Sequence, residues 1–149
     1  MTKIIERLRD EYIAHMFYSK ASNRMKVLGY IKAGDWAEKE SNEELEHADI
    51  LKKFLTDWNV KFDLPVVPLI EKEFETLKDF ISSAYELERS LYAKYNNMRQ
   101  TNDVSEFTLV QRMIEIQRKS ISELRTMLDR LDLVGEDKTS IFIFENETF

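Results

Sequence analysis

Apolar residues recur at helical spacing in four long runs of the chain. In residues 3–28 the stripe is Ile4, Leu8, Glu11, His15, Tyr18, Ser22 and Met25, widened by Ile5, Tyr12 and Met16. In residues 35–58 it is Trp36, Glu40, Glu44, His47, Leu51, Leu55 and Trp58. In residues 70–99 it is Leu77, Ile81, Ala84, Glu88, Leu91, Tyr95 and Met98. In residues 104–132 it is Phe107, Val110, Ile114, Gln117, Ile121, Leu124, Leu128 and Leu131. Each run predicts one helix. Gly29 and Gly34 bracket the first break, and Asp35-Trp36-Ala37-Glu38 reads as a capping box with Asp35 at the N-cap and Glu38 at N3, a start a few residues earlier being the alternative. Gln100-Thr101-Asn102-Asp103 is a polar turn, and Gly135 is the expected stop of the fourth helix. From Asn59 to Leu69, Pro65 and Pro68 keep the chain extended. That connection is long for a hairpin and lets the second and third helices run parallel in one bundle. The tail, residues 136–149, carries apolar Ile141, Phe142, Ile143 and Phe144, which should cover the bundle or a neighbouring subunit.

Each stripe is interrupted near its middle by polar residues: Glu11, then Glu44 with His47, then Glu88, then Gln117. Residues three apart share a helix face, so Glu44 and His47 point the same way. Glu86 lies near Glu88 in sequence, but its own row is Asp79, Ser83 and Ser90, a solvated face. Periodicity therefore selects Glu88 as the inward acid. Singly, each polar residue has an ordinary explanation. Glu11 can be an edge acid, His15 a partly buried polar residue, and Gln117 a satisfied core amide. Together, at one level of a bundle, they would converge on its axis. Carboxylates crowded there repel and become harder to ionise, and divalent cations would neutralise them. Oxygen donors with one nitrogen suit iron, with zinc or manganese as possible substitutes.

Composition narrows the picture. The chain has 149 residues, enough for one domain with a real core. It has three Gly and two Pro, consistent with long helices. The net charge of −6 argues against nucleic-acid or anionic-membrane partners. With no Cys, disulfides, thiolate sites and cysteine nucleophiles are excluded. No signal-like run opens the chain and no apolar stretch is long enough to span a bilayer, so a cytoplasmic location is expected.

At Glu11, Glu44-x-x-His47, Glu88 and Gln117 the chain resembles the bacterial-type non-haem ferritins, over nearly its whole length. Lys72-Glu73-Phe74-Glu75 and the Leu131-Asp132-Leu133-Val134-Gly135 stop are similar to that family. Glu44-Leu45-Glu46-His47-Ala48-Asp49 resembles bacterioferritin more closely, although Ser120-Ile121-Ser122-Glu123 lacks the second Glu-x-x-His of that group. The resemblance implies an all-α, ferritin-like four-helix bundle spanning residues 1–149 with a long crossover and a short C-terminal tail. It implies a dinuclear iron centre in which Glu11 and His47 hold one iron, Glu44 bridges, and Glu88 holds the second. Gln117 would lie beside the pair and hydrogen-bond bound oxygen or water, and Tyr18 matches the tyrosine kept next to that centre. Glu43 fits the family's third iron position, but Ile116, Lys119 and Ser120 replace its carboxylates on the fourth helix. Of the family's fifth helix, only Phe144 to Phe149 is expected to remain.

The function so implied is iron storage with ferroxidase activity. Fe(II) would be oxidised by O2 or H2O2 and deposited inside a homo-oligomeric shell of 24 subunits. The alternatives are a shell or binding subunit that holds metal without turnover, a di-iron bundle enzyme acting on another substrate, and a DNA-protecting mini-ferritin, which the acidic balance disfavours.

Overall fold

The computed structural model describes residues 1–101 and 103–149, so part of the expected turn at Asn102 lies outside the described residues. The helices are α1 (Thr2–Val27), α2 (Ile31–Asp57), α3 (Leu77–Asn96), α4 (Val104–Val134) and α5 (Lys138–Thr148). No strand occurs among the described residues.

Side-chain bonds fix the directions. His15 on α1 meets Ser41 on α2, while further along α1 Ser22 donates to the Gly34 carbonyl, so α1 and α2 are antiparallel. Tyr95 reaches Glu11 and Tyr18 reaches Glu88, so α1 and α3 are antiparallel too. It follows that α2 and α3 are parallel, as the crossover requires. The fold is a four-helix bundle with a short fifth helix.

Two helix starts differ from the expectation. α2 begins at Ile31, and the Asp35–Glu38 capping box does not form. α1 ends in a Schellman turn: Gly29 has φ +96 and the Tyr30 amide donates to the Met25 carbonyl at 2.8 Å. That turn reverses the chain at once, so α2 starts directly after Tyr30. Asp35 and Glu38 lie inside α2 and reach back to Lys26 Nζ at 3.3 and 3.0 Å. Gly34 is no break. A Cβ there would come within 2.5 Å of Lys26 Cγ and 3.0 Å of the Ser22 carbonyl, so glycine lets α1 and α2 approach closely.

The third helix begins at Leu77 rather than 70 and ends at Asn96 rather than 99. Thr76 is its N-cap, accepting from the Asp79 amide at 2.9 Å. The crossover is correspondingly longer. Its last part is pinned to α1, because Lys20 Nζ donates to the Ile70 carbonyl at 2.7 Å and Arg24 Nε to the Phe74 carbonyl at 2.8 Å. Phe74 is fully buried, edge-on to Phe17 and Phe80. α4 starts at the Asp103 cap, runs past the expected 132 to Val134, and stops at Gly135, φ +80. Of the expected stripes, Trp58 and Phe107 at the helix ends are exposed, as is Met16 on the margin of the α1 stripe.

The tail is a helix of 11 residues, not a remnant. Asp137 caps it by accepting from the Ser140 amide. Phe144 and Glu145 are buried against the bundle, and Phe142 stacks on Tyr30. Glu145 Oε1 accepts from the Ala33 amide at 3.0 Å. Tyr30 offers α2 no side-chain cap, so the acceptor for its first turn comes from α5. Glu145→Ala should lower the stability of the fold by about 1 kcal/mol, and Glu145→Gln, which keeps an acceptor, by less. Urea unfolding followed by circular dichroism measures both.

Candidate metal centre

The bundle core falls into two apolar clusters. One holds Tyr18, Met25, Phe80, Ile81 and Leu124, and the other Leu8, Leu51, Leu55, Tyr95 and Met113. Between them lies a polar layer of Glu11, Glu44, Glu88 and Gln117, all buried. His47 is half-buried at its edge. The helix spacing that predicted this convergence is realised. Glu88 is wholly buried, whereas Glu86 is exposed and leans on Arg89.

The layer has two parts. Glu11, Glu44 and His47 each offer one donor atom, and these atoms lie within 4.8 Å of one another. His47 Nδ1 is 3.1 Å from Glu44 Oε2 and 3.6 Å from Glu11 Oε2. Tyr95 Oη donates to Glu11 Oε1 at 2.6 Å. Glu11 Oε2 is buried without a hydrogen-bond partner. Beside this group, Glu88 accepts from two donors, Tyr18 Oη at 2.7 Å on Oε1 and Gln117 Nε2 on Oε2. Gln117 Oε1 is the second orphan of the layer. Such atoms are uncommon in a folded core and call for an explanation. A divalent cation fits both the orphan oxygens and the donor chemistry, because two carboxylates and an imidazole are a cation-binding set.

The electrostatics agree. Burial raises the Glu44 carboxyl well above the usual range, and the charges of Glu88 and Glu11 raise it further. Burial also raises Glu88, opposed by the hydrogen bonds from Tyr18 and Gln117. For His47, burial disfavours the imidazolium, but the carboxylate of Glu11 close by, with Glu88 and Glu43 beyond, raises its pKa on balance. Burial and the neighbouring carboxylates raise the Tyr18 and Tyr95 phenols, which therefore remain protonated donors.

His15, one turn from Glu11, is not a candidate ligand. Its Nδ1 lies 2.8 Å from both the carbonyl and the hydroxyl of Ser41 and joins α1 to α2. Gln117, level with Glu88, also corrects the comparison of helices. On α4 the counterpart of Glu44-x-x-His47 is Gln117-x-x-Ser120, not Ser120 to Glu123. Two participants went unassigned in the sequence. Tyr95 reads there as core, although it follows Glu88 at the interval by which Tyr18 follows Glu11. Glu40 stands on the α2 stripe one turn before Glu44. Burial, with the charges of Glu43, Glu123 and Glu88, pushes its pKa from the ordinary 4.5 to about 8.

Glu40 gives the metal-free protein a defined pH dependence. Unfolding releases an acid that ionises near its ordinary pKa, while the folded state retains the proton. Stability is therefore present below pH 4.5 and is lost as pH rises towards about 8. Glu40→Gln should melt close to wild type at pH 4.5 and progressively above it towards pH 8. Melting curves of the metal-free proteins across that range test this.

The match to a family model described as a ferritin-like domain covers residues 2–134. A "probable bacterial non-heme ferritin-like protein" of Haemophilus influenzae is 24% identical over 149 aligned residues, covering 95% of this chain and 88% of that protein. A "bacterial non-heme ferritin" of Campylobacter jejuni is 24% identical, covering 93% of this chain and 85% of that one. Among solved structures, an open-pore ferritin from the archaeon Archaeoglobus fulgidus superposes with a TM-score of 0.87 at 19% identity, covering 99% of this chain and 95% of that one. A humanized archaeal ferritin gives 0.92 at 18% identity, over 99% and 93% of the two chains. Among the described residues no helix is long and apolar enough to cross a membrane. The five-helix fold, the polar layer and the match over residues 2–134 together place the chain in the ferritin family, among relatives of the bacterial non-haem kind.

Proposed function

We propose that the protein is an iron-storage ferritin with ferroxidase activity. The observation that carries this is the buried group of Glu11, Glu44 and His47, with donor atoms within 4.8 Å and a carboxylate oxygen left unpartnered. Fe(II) is the substrate. Glu11 and His47 take one ion, Glu44 bridges, and Glu88 takes the second, with Gln117 Oε1 free to accept from bound water. Each pair of ions gives two electrons to O2, which with two protons leaves as H2O2, or to H2O2, which leaves as water. The chain's residues supply negative charge to draw in and hold the cations, and two apolar clusters that keep bulk water out. Zn(II) and Mn(II) suit the same donors and would occupy the site without this turnover.

Storage requires an enclosed volume, which a single bundle lacks, so the reading includes a homo-oligomeric shell of 24 subunits. Exposed apolar residues at two places fit subunit contacts: Leu64, Val66 and Leu69 on the crossover, and Phe142 and Ile143 on α5. One observation favours a second reading, a shell subunit that binds metal without turnover. Both oxygens of Glu88 already accept a hydrogen bond, so a second metal would share this carboxylate with two protein donors, unlike the unpartnered Glu11 Oε2.

Oxygen uptake on addition of Fe(II) separates the two. Wild type should consume O2, Glu86→Gln should match it, and Glu88→Gln should slow the first turnover by an order of magnitude or more. Binding without uptake in wild type would leave the second reading. Size exclusion with light scattering should give a mass of many subunits at micromolar concentration, reduced by Ile143→Glu. A mass of one or two subunits would remove storage from the function.

A further inference from the structure

Glu11 on α1 and Glu88 on α3 are each followed, seven residues along the same face, by a buried tyrosine. The two phenols cross. Tyr18 donates to Glu88 at 2.7 Å and Tyr95 to Glu11 at 2.6 Å. The two acids differ in what else holds them. Glu88 has a second donor in Gln117 Nε2. For Glu11 the only hydrogen bond among the described residues comes from Tyr95, and its other oxygen, Oε2, is the orphan facing His47 Nδ1 at 3.6 Å.

We infer that Tyr95 is the positioning residue of the metal-binding group: by occupying Glu11 Oε1 it holds that carboxylate with Oε2 turned to Glu44 and His47. This rests on the assignment of Glu11, Glu44 and His47 as metal-holding residues. A glutamate has three rotatable side-chain bonds, and ordering them opposes binding. A short hydrogen bond from a neutral donor to a carboxylate is strong, and Glu11 is the acceptor the described residues offer this buried phenol. The rotamer is therefore set before the cation arrives, as with the supporting residues of metal sites generally. Tyr95 lies in one apolar cluster and Tyr18 in the other, so each clamp is anchored in packed core.

The bland alternative is a core aromatic whose hydroxyl merely finds a partner. Tyr95→Phe decides, because it keeps the ring and removes only the hydroxyl. Zn(II) affinity of the full-length, iron-free protein is measured by titration calorimetry, with melting temperature alongside. Tyr95→Phe should weaken Zn(II) binding at the tightest site roughly tenfold or more. Tyr18→Phe should weaken it less, since Glu88 keeps Gln117. Zn(II) affinity of Tyr95→Phe within twofold of wild type would overturn the inference, even if the variant melts lower. Tyr95→Met, which fills the space without a hydroxyl, replaces it if the phenylalanine variant does not fold. A wild type that binds no Zn(II) would overturn the metal assignment and the inference together. Tight wild-type binding with an unaffected variant would overturn the inference alone.

Discussion

The constraint on which the structure depends is the burial of three carboxylates in one layer of a narrow bundle. Removing such groups from water costs several kcal/mol each without compensation, and their mutual repulsion adds to it. Protein donors offset part of that: Tyr18 and Gln117 at Glu88, Tyr95 at Glu11, and His47 at Glu44. The offset is incomplete, because Glu11 Oε2 and Gln117 Oε1 remain without partners. A core selected for stability alone would carry leucine at these positions. On the proposed reading the layer is a cation site whose oxygen donors are brought together before the cation arrives.

Much of the rest of the fold can be understood as support for that layer. Two apolar clusters, one on each side, pin the helix registers so that the four polar positions come level. Ser22 and Gly34 bring α1 against α2, and His15 with Ser41 repeats the contact nearer the centre. The crossover is tied to α1 by Lys20, Arg24 and the buried Phe74, which fixes where α3 begins and so where Glu88 falls. At the far end α5 covers one cluster through Phe144 and supplies Glu145 to the start of α2, the helix that carries Glu44 and His47.

The centre was legible in the sequence because it depends on short-range periodicity. A three-residue interval places Glu44 with His47, and the apolar rows around Glu88 separate it from Glu86. What was not legible depends on distant partners. The start of α2 looked like Asp35 because a capping box is a local signal, whereas the acceptor used, on the Ala33 amide, comes from Glu145, 112 residues further on. The run from residue 70 predicts helix, although its apolar stripe begins only at Leu77. The Thr76 cap and the burial of Phe74 decide otherwise, and the latter needs Phe17 and Phe80 in place. Tyr95 on an apolar row is indistinguishable from core until Glu11 stands opposite its hydroxyl.

The layer also has a broken symmetry. α1 and α3 match, each with a glutamate and a tyrosine seven residues on, crossed to the other helix. α2 and α4 do not. Where α2 carries Glu44 and His47, α4 carries Gln117 and Ser120 at the same interval. One half thus has two carboxylates and an imidazole, and the other has Glu88, a neutral amide, and whatever Glu44 shares. The difference is visible in the bonds: Glu11 keeps an oxygen free, while Glu88 has both engaged. On the proposed dinuclear reading, a cation in the first half would meet donors already turned towards it, whereas one in the second would share Glu88 with a phenol and an amide. Ions in two such halves would be held unequally, and the α2–α4 difference would set the order of filling, since the tyrosine clamps are common to both.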